Sequence, residues 1–135
     1  MEAQPCRTDG SISPRLFMLD AIARKQRDKV LTLYYDLIEL KESPFGILAL
    51  LARQCNQLLQ VKNLDDLGKD NGTISKEIKI PAFAVGKLKD QSKMFSIEVL
   101  LSMVEACAKT DELIKTGKIN DRVGVELILI QFSQN

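Results

Sequence analysis

The sequence predicts an all-α fold, a compact bundle of about five to seven helices. Apolar residues recur three or four positions apart through most of the chain from residue 14 onward, which is the period of amphipathic helices. Helix start and stop signals separate these stretches. The 135 residues, with 45% hydrophobic and 27% charged side chains, have the composition of an ordinary globular domain.

Residues 1–13 (MEAQPCRTDGSIS) precede the periodic region and are polar without periodicity. We expect them to form a flexible tail or to be a remnant foreign to the natural protein. The helical domain is expected to span residues 14–135.

The first two predicted helices lie between Pro14 and Glu42. Pro14 suits the first turn of a helix, because its missing N–H is not needed there. Asp28 is the expected N-cap of the second helix, which should end near Glu42. The predicted apolar faces are Leu16, Leu19 and Ala23 on the first, and Leu31, Tyr34, Leu37 and Ile38 on the second.

Ser43-Pro44 signals a third, long helix, with a capping hydroxyl before a proline. Gly68 and Asn71-Gly72 should stop it. Its apolar surface is wide enough for a central helix. The two predicted stripes are Phe45, Leu48, Ala52, Cys55 and Leu59, and Ile47, Leu51, Leu58 and Val61.

A short helix is expected over residues 73–79, capped by Thr73 or Ser75. Ile80-Pro81 predicts a turn, because proline disfavours helical geometry in the residue before it. Pro81 can begin the next helix, whose predicted inward side chains are Phe83, Val85 and Leu88.

Ser96 should cap a further helix that ends at Lys115-Thr116-Gly117. Its predicted inward face is Ile97, Leu100, Leu101, Val104, Cys107 and Ala108. The segment 125–130 is rich in β-branched residues and is compatible with a strand. A single strand would have no partner here, so we predict a last helix from Asp121 to Phe132, capped by Asn120 or Asp121.

The composition argues against catalysis. The chain has no histidine, which removes the commonest general base and metal ligand. Its three cysteines include no CxxC pair, and Cys55 and Cys107 lie on apolar stripes, where buried thiols are expected. Gly72 and Gly86 belong to no phosphate-binding loop. We therefore predict no catalytic residue, no cofactor and no metal.

A net charge of +1 gives no global attraction to nucleic acid. Without a signal peptide or an apolar run of roughly 20 residues, a cytoplasmic location with no membrane partner is expected.

Three local features of the sequence are candidates for a functional role. Residues 73–93 have the outline of a helix-turn-helix, whose second helix carries Lys87, Lys89 and Lys93, so a small DNA-binding regulator is the alternative hypothesis. Asp111 continues an apolar stripe and is expected to be a buried carboxylate bonded to a neighbouring loop.

The third feature is the loop between the last two predicted helices. Basic and amide side chains near a helix N-terminus can hold a phosphate, although ordinary capping and solvation also explain them. The candidate DNA or partner contacts are Lys115, Lys118, Asn120 and Arg122.

Taken in order, several segments resemble the C-terminal region of the delta subunit of bacterial DNA polymerase III. They are Ser43-Pro44, Arg53-Gln54, residues 58–62 (LLQVK), 78–83 (IKIPAF), 111–117 (DELIKTG) and 125–127 (VEL). The resemblance implies the collar domain of a clamp-loader subunit, which assembles delta with the gamma/tau and delta-prime subunits. That subunit hydrolyses no ATP, although its parent holoenzyme is a DNA-directed DNA polymerase, a nucleotidyltransferase.

The resemblance also implies which contacts belong elsewhere. The sliding clamp would be bound only through an amino-terminal AAA+-like module that this chain lacks. Primer–template DNA would lie near the collar. Because no aromatic residue lies between Phe95 and Phe132, a contact from Lys118, Asn120 or Arg122 would be to phosphate rather than by base stacking.

Overall fold

A computed structural model describes residues 14–134 of the chain, with side chains from residue 18 onward. The tail predicted for residues 1–13, including Cys6, lies outside the described residues. Within the described range the structure has seven α-helices and no strand, so the all-α prediction is confirmed. They are α1 (Pro14–Ala23), α2 (Arg27–Glu39), α3 (Pro44–Asp66), α4 (Asn71–Ile78), α5 (Ala82–Ser92), α6 (Ile97–Lys115) and α7 (Asp121–Ser133).

The contacts between residues divide the chain into two units. Unit 1 comprises Met1–Leu51 and Cys107–Asn135, and unit 2 comprises Ala52–Ala106. Unit 1 therefore contains α1, α2 and α7, and unit 2 contains α4 and α5. The divisions fall within α3 and α6, so both of these helices belong to both units.

Several helix boundaries follow the predicted chemistry. The Ser43 Oγ accepts a hydrogen bond from Gly46 N at 2.8 Å, and the Ser96 Oγ accepts one from Val99 N at 3.1 Å, so both predicted caps are confirmed. Gly68 and Gly117 follow α3 and α6 with φ of 82° and 75°, a region open to glycine at little steric cost.

Other boundaries differ from the prediction. Asp28 lies inside the first turn of α2, and the N-cap position is Gln26, which makes no side-chain capping bond. The helix ends at Glu39 rather than near Glu42, because Lys41 takes a left-handed conformation with φ of 73°. Helix α4 begins at Asn71 and is capped by Asp70, not by Thr73 or Ser75.

In unit 1, α2 packs against α1 and α7. The side chain of Tyr34 is fully buried, and its hydroxyl donates a hydrogen bond to the Arg122 carbonyl at 2.8 Å. Burial raises the pKa of Tyr34 to about 12, with a further contribution from the Glu126 carboxylate. Tyr35 donates a hydrogen bond to the Glu126 carboxylate at 2.6 Å, so two consecutive residues of α2 bond to α7.

In unit 2, α4 packs against α5. Lys89 of α5 also forms an ion pair with Asp65 near the end of α3, at 3.4 Å. Buried apolar side chains come from every helix of the unit: Cys55, Leu58 and Val61 of α3, Ile74 of α4, Val85 and Leu88 of α5, and Leu100 and Met103 of α6.

Two predicted apolar faces are partly wrong. Phe83 does not face inward, since 73% of it is exposed, whereas Val85 and Leu88 are buried as predicted. In α6, Leu100 and Cys107 are buried, but Ile97 and Leu101 are exposed by 45% and 53%. Ala108 is also exposed, and Met103 takes a place in the core. The buried face of α6 is thus rotated relative to the predicted one.

The buried thiols behave as predicted. Cys55 and Cys107 are both buried, and burial raises the pKa of the Cys107 thiol to about 12. Among the helices that the structure describes, none combines the length and apolarity needed to span a bilayer.

Candidate partner and nucleic-acid interface

The candidate contact residues lie in and beside the loop between α6 and α7: Lys118 and Asn120 are in the loop, Lys115 ends α6, and Arg122 is in the first turn of α7. Backbone hydrogen bonds fix this loop. Gly117 N donates a hydrogen bond to the Ile114 carbonyl at 3.1 Å, and Lys118 N donates one to the Leu113 carbonyl at 2.9 Å. These two bonds form a Schellman motif, which satisfies the last carbonyls of the helix. The motif sets the direction in which the chain leaves α6.

Asn120 is the N-cap of α7, as predicted. Its Oδ1 accepts hydrogen bonds from Arg122 N at 2.9 Å and Val123 N at 3.2 Å, and the Asp121 Oδ1 also accepts from Arg122 N at 2.7 Å. The Asn120 and Asp121 side chains therefore already accept hydrogen bonds from backbone amides at the start of α7. A phosphate contact here would depend on cationic side chains rather than on these amides.

The four candidate residues differ in their surroundings. The Lys115 Nζ lies 3.2 Å from the Asp111 Oδ2 and 5.4 Å from the centroid of the Phe45 ring, so an ion pair and a cation–π contact hold it. The side chains of Lys118 and Arg122 are exposed. Lys118 and Arg122 are therefore the better placed of the four to meet an external phosphate.

Asp111 is not the buried, loop-bonded carboxylate that the sequence predicted. Its side chain is 35% exposed and pairs with Lys115, one turn along the same helix. An (i, i+4) pair of this kind adds modest stability to an exposed helix face. The contact between Lys115 and Phe45 joins distant parts of the sequence, and no sequence signal pointed to it.

The predicted helix-turn-helix segment serves packing instead. Helices α4 and α5 contact each other, and Lys89, one of the three lysines proposed to read DNA, pairs with Asp65. Since its side chain is only 21% exposed, Lys89 is poorly available for a groove contact.

Apolar side chains are also exposed on the helices and turns of both units. In unit 2 they are Leu67, Phe83, Met94, Ile97, Val99 and Leu101, and in unit 1 they are Tyr35, Leu40, Val123 and Leu127. Scattered exposed apolar residues are common on proteins, whereas contiguous ones mark interaction surfaces. Two pairs lie one turn apart on a helix: Ile97 and Leu101 on α6, and Val123 and Leu127 on α7.

Residues 16–132 match the family model described as DNA polymerase III delta subunit, C-terminal domain. This match covers nearly the whole described chain. The chain belongs to that family.

Individual relatives agree with the family match. The chain is 32% identical over 122 residues to the DNA polymerase III subunit delta of Bacillus subtilis, covering 90% of this chain and 35% of the relative. It also matches the solved structure of the Bacillus subtilis DNA clamp loader delta protein, with a TM-score of 0.84 and 31% identity. That match covers 89% of this chain and 35% of the other.

The resemblance inferred from the sequence is thereby confirmed, and the helix-turn-helix regulator is not supported. The chain spans about a third (35%) of the length of these two relatives. Activities of a whole delta subunit therefore do not pass to this chain automatically.

Proposed function

We propose that the chain is the collar domain of a clamp-loader delta subunit, a non-catalytic part that assembles delta with the gamma/tau and delta-prime subunits. The observation that carries the proposal is the structural match to a clamp loader delta protein, with a TM-score of 0.84 at 31% identity. In this role the chain helps to load the sliding clamp during DNA replication, and it does so in the cytoplasm. Clamp binding belongs to the remainder of the delta subunit.

Several properties of the chain support an assembly role. The sequence contains no histidine and no nucleotide-binding loop, so its chemistry favours binding over catalysis. Pairs of exposed apolar side chains one helical turn apart occur in both units, as expected of a domain whose partners are other protein chains.

The test is reconstitution. The chain is mixed with the gamma/tau and delta-prime subunits of the same organism and the mixture is passed over a size-exclusion column. We expect the chain to co-migrate with both partners. The proposal is wrong if the chain elutes alone, and if it also fails to join the complex when it forms part of a complete delta subunit.

Within this role, we assign Lys118 and Arg122 to phosphate contact with primer–template DNA. Both side chains are exposed, Lys118 on the loop and Arg122 in the first turn of α7, and the Schellman motif and the Asn120 cap fix the backbone there. Lys115 and Asn120 support this contact indirectly, since Lys115 pairs with Asp111 and Asn120 caps α7. A fixed backbone reduces the entropy that these two cations lose on binding.

The assembled loader carrying Lys118→Ala and Arg122→Ala should bind primer–template DNA more weakly. Two lost single-strand phosphate contacts should reduce the slope of log K against log salt by about 1.4, or about 0.7 for each contact. Fluorescence anisotropy at several salt concentrations measures this slope. The control is Arg53→Ala with Lys109→Ala, which also removes one arginine and one lysine, both exposed. Equal slopes for the two double variants would contradict the assignment.

A further inference from the structure

Helix α6 carries an apolar stripe in which two of three side chains are exposed in its own unit. At about 100° per residue, Ile97, Leu101 and Val104 fall within an arc of about 60° of the helix. Ile97 and Leu101 are 45% and 53% exposed, and Val104 is half-buried. We call these three residues the α6 stripe.

The α6 stripe is additional to the face that α6 already buries. Leu100 and Met103 are fully buried on another side of the helix, so the core contact of α6 in unit 2 is made without the stripe. Adjacent exposed apolar side chains on a helix surface typically mark an interaction site. An apolar stripe along one helix fits the apolar face of another helix.

Acidic side chains border the α6 stripe on one side. Glu98 and Glu105 lie seven residues apart, about two turns, and both are exposed. They project about 80–100° around the helix from Ile97, on the same flank of the stripe. Exposed Glu112 and Lys109 lie on the same flank, at about 60° and 120° from Ile97, so the flank carries three acidic side chains and one basic side chain. Its net charge is negative, and it favours a partner with lysine or arginine beside its own apolar face.

The same flank disfavours a second copy of this chain. A two-fold axis that pairs two α6 helices antiparallel brings identical flanks together, as in any isologous contact. The Glu98 and Glu105 side chains of one copy would then face those of the other. Like charges opposed in this way are repulsive, so an antiparallel pair of α6 helices from two copies is disfavoured.

We propose that the α6 stripe docks a helix of a neighbouring clamp-loader subunit, and that basic side chains of this helix flank its apolar face and pair with Glu98 and Glu105. The proposal rests on the function proposed above and adds to it a surface and the chemistry of its partner.

The first test uses two leucines of nearly equal exposure. Leu101 on α6 is 53% exposed and Leu40, directly after α2, is 55% exposed, so either can become glutamate without burying a charge in the core. In the reconstituted complex with gamma/tau and delta-prime, Leu101→Glu should weaken association about tenfold or more, as expected for a central interface residue. Leu40→Glu should bind like the wild type, because Leu40 has no exposed large apolar neighbour one turn away. Equal affinities for the two variants would overturn the proposal.

A second variant tests the acidic flank without changing the stripe. Glu98→Lys with Glu105→Lys should weaken association and reverse its dependence on salt, because attraction becomes repulsion. Glu77→Lys, at an exposed position on α4, is the control. A double variant that binds like wild type would show that the partner has no basic flank, and the proposal would fall.

The outcomes separate the two proposals. No association by wild-type chain or complete delta subunit contradicts the proposed function itself. Normal association of both wild type and Leu101→Glu contradicts the α6 docking surface alone.

If sedimentation shows that the isolated chain forms a dimer that Leu101→Glu abolishes, the occupant is a second copy. If Leu101→Glu destabilises a complete delta subunit but not its assembly, the occupant is another part of delta. Either result overturns the assignment.

Discussion

Asp70 shows how one side chain sets the start of a helix. Its backbone is extended, with φ of −84° and ψ of 172°, and its Oδ1 accepts a hydrogen bond from Thr73 N at 2.8 Å. This bond satisfies one of the amides that have no partner inside the helix. Because the Thr73 N–H stabilises the carboxylate, the pKa of Asp70 is lower than its usual value of 3.8.

Asp70→Ala should lower the melting temperature of the chain by about 3 °C, since loss of an N-cap destabilises the helix that follows. Asp70→Asn should retain most of the stability, because its carbonyl can accept the same bond. Circular dichroism melts of the three proteins at neutral pH measure both effects. Identical melting temperatures for wild type and Asp70→Ala would show that α4 does not depend on this cap.

The same cap predicts a pH dependence with a definite sign. The folded state binds the Asp70 proton more weakly than the unfolded state, so the stabilisation is present above pH 3.8. It is lost as the pH falls through the lower pKa of the folded state. The advantage of wild type over Asp70→Ala should therefore shrink below pH 3.8. Asp70→Asn should show no such change, because its amide does not titrate.

At the scale of the element, α6 shows what a sequence pattern leaves open. Its capping serine and its terminating glycine predicted both ends of the helix, because capping depends on neighbouring residues. The orientation of its buried face was predicted less well, since Ile97 and Leu101 are as apolar as Leu100. The spacing of apolar residues along a helix is the same whether they pack inside the chain or against another molecule.

The prediction that Phe83 faces inward was wrong for a different reason, because helix geometry alone could have placed this residue correctly. At about 100° per residue, Phe83 lies about 160° around α5 from Val85, while Val85 and Leu88 lie within about 60° of each other. A phenylalanine opposite the apolar face should be exposed, and 73% of it is. In α5 the angular position of an apolar residue around the helix, rather than its presence in the segment, determines whether it is buried.

The pairing of α2 with α7 could not have been predicted from local sequence. Tyr34 bonds to Arg122 and Tyr35 to Glu126, and the partners are 88 and 91 positions apart in the sequence. No periodicity connects positions so far apart. The same holds beside the candidate loop, where no local pattern links Lys115 to the Phe45 ring, 70 positions earlier in the sequence.

At the scale of the whole molecule, the two units share two helices. Helices α3 and α6 each contribute residues to unit 1 and to unit 2. If either unit unfolds, part of α3 and part of α6 loses its packing, and a helix segment without packing is only marginally stable in water. We therefore expect the two units to open in one cooperative step.

The buried thiols measure this cooperativity, because Cys107 belongs to unit 1 and Cys55 to unit 2. One variant, Cys6→Ser with Cys55→Ala, leaves Cys107 as its single thiol. The other, Cys6→Ser with Cys107→Ala, leaves Cys55. The variants are labelled with a thiol reagent in increasing urea. Both thiols should show the same protection from labelling at every urea concentration, because both become accessible in the same unfolding step.

The folded state itself should contribute little to the labelling of Cys107. Burial raises the pKa of the Cys107 thiol from 9.0 to about 12, which leaves very little reactive thiolate in the folded state, so labelling requires opening. Native Cys107 should therefore react far more slowly than the same thiol in the urea-unfolded chain. Much faster labelling of Cys55 than of Cys107 would show that unit 2 opens alone. In that case α3 and α6 would couple the two units too weakly to make them unfold together.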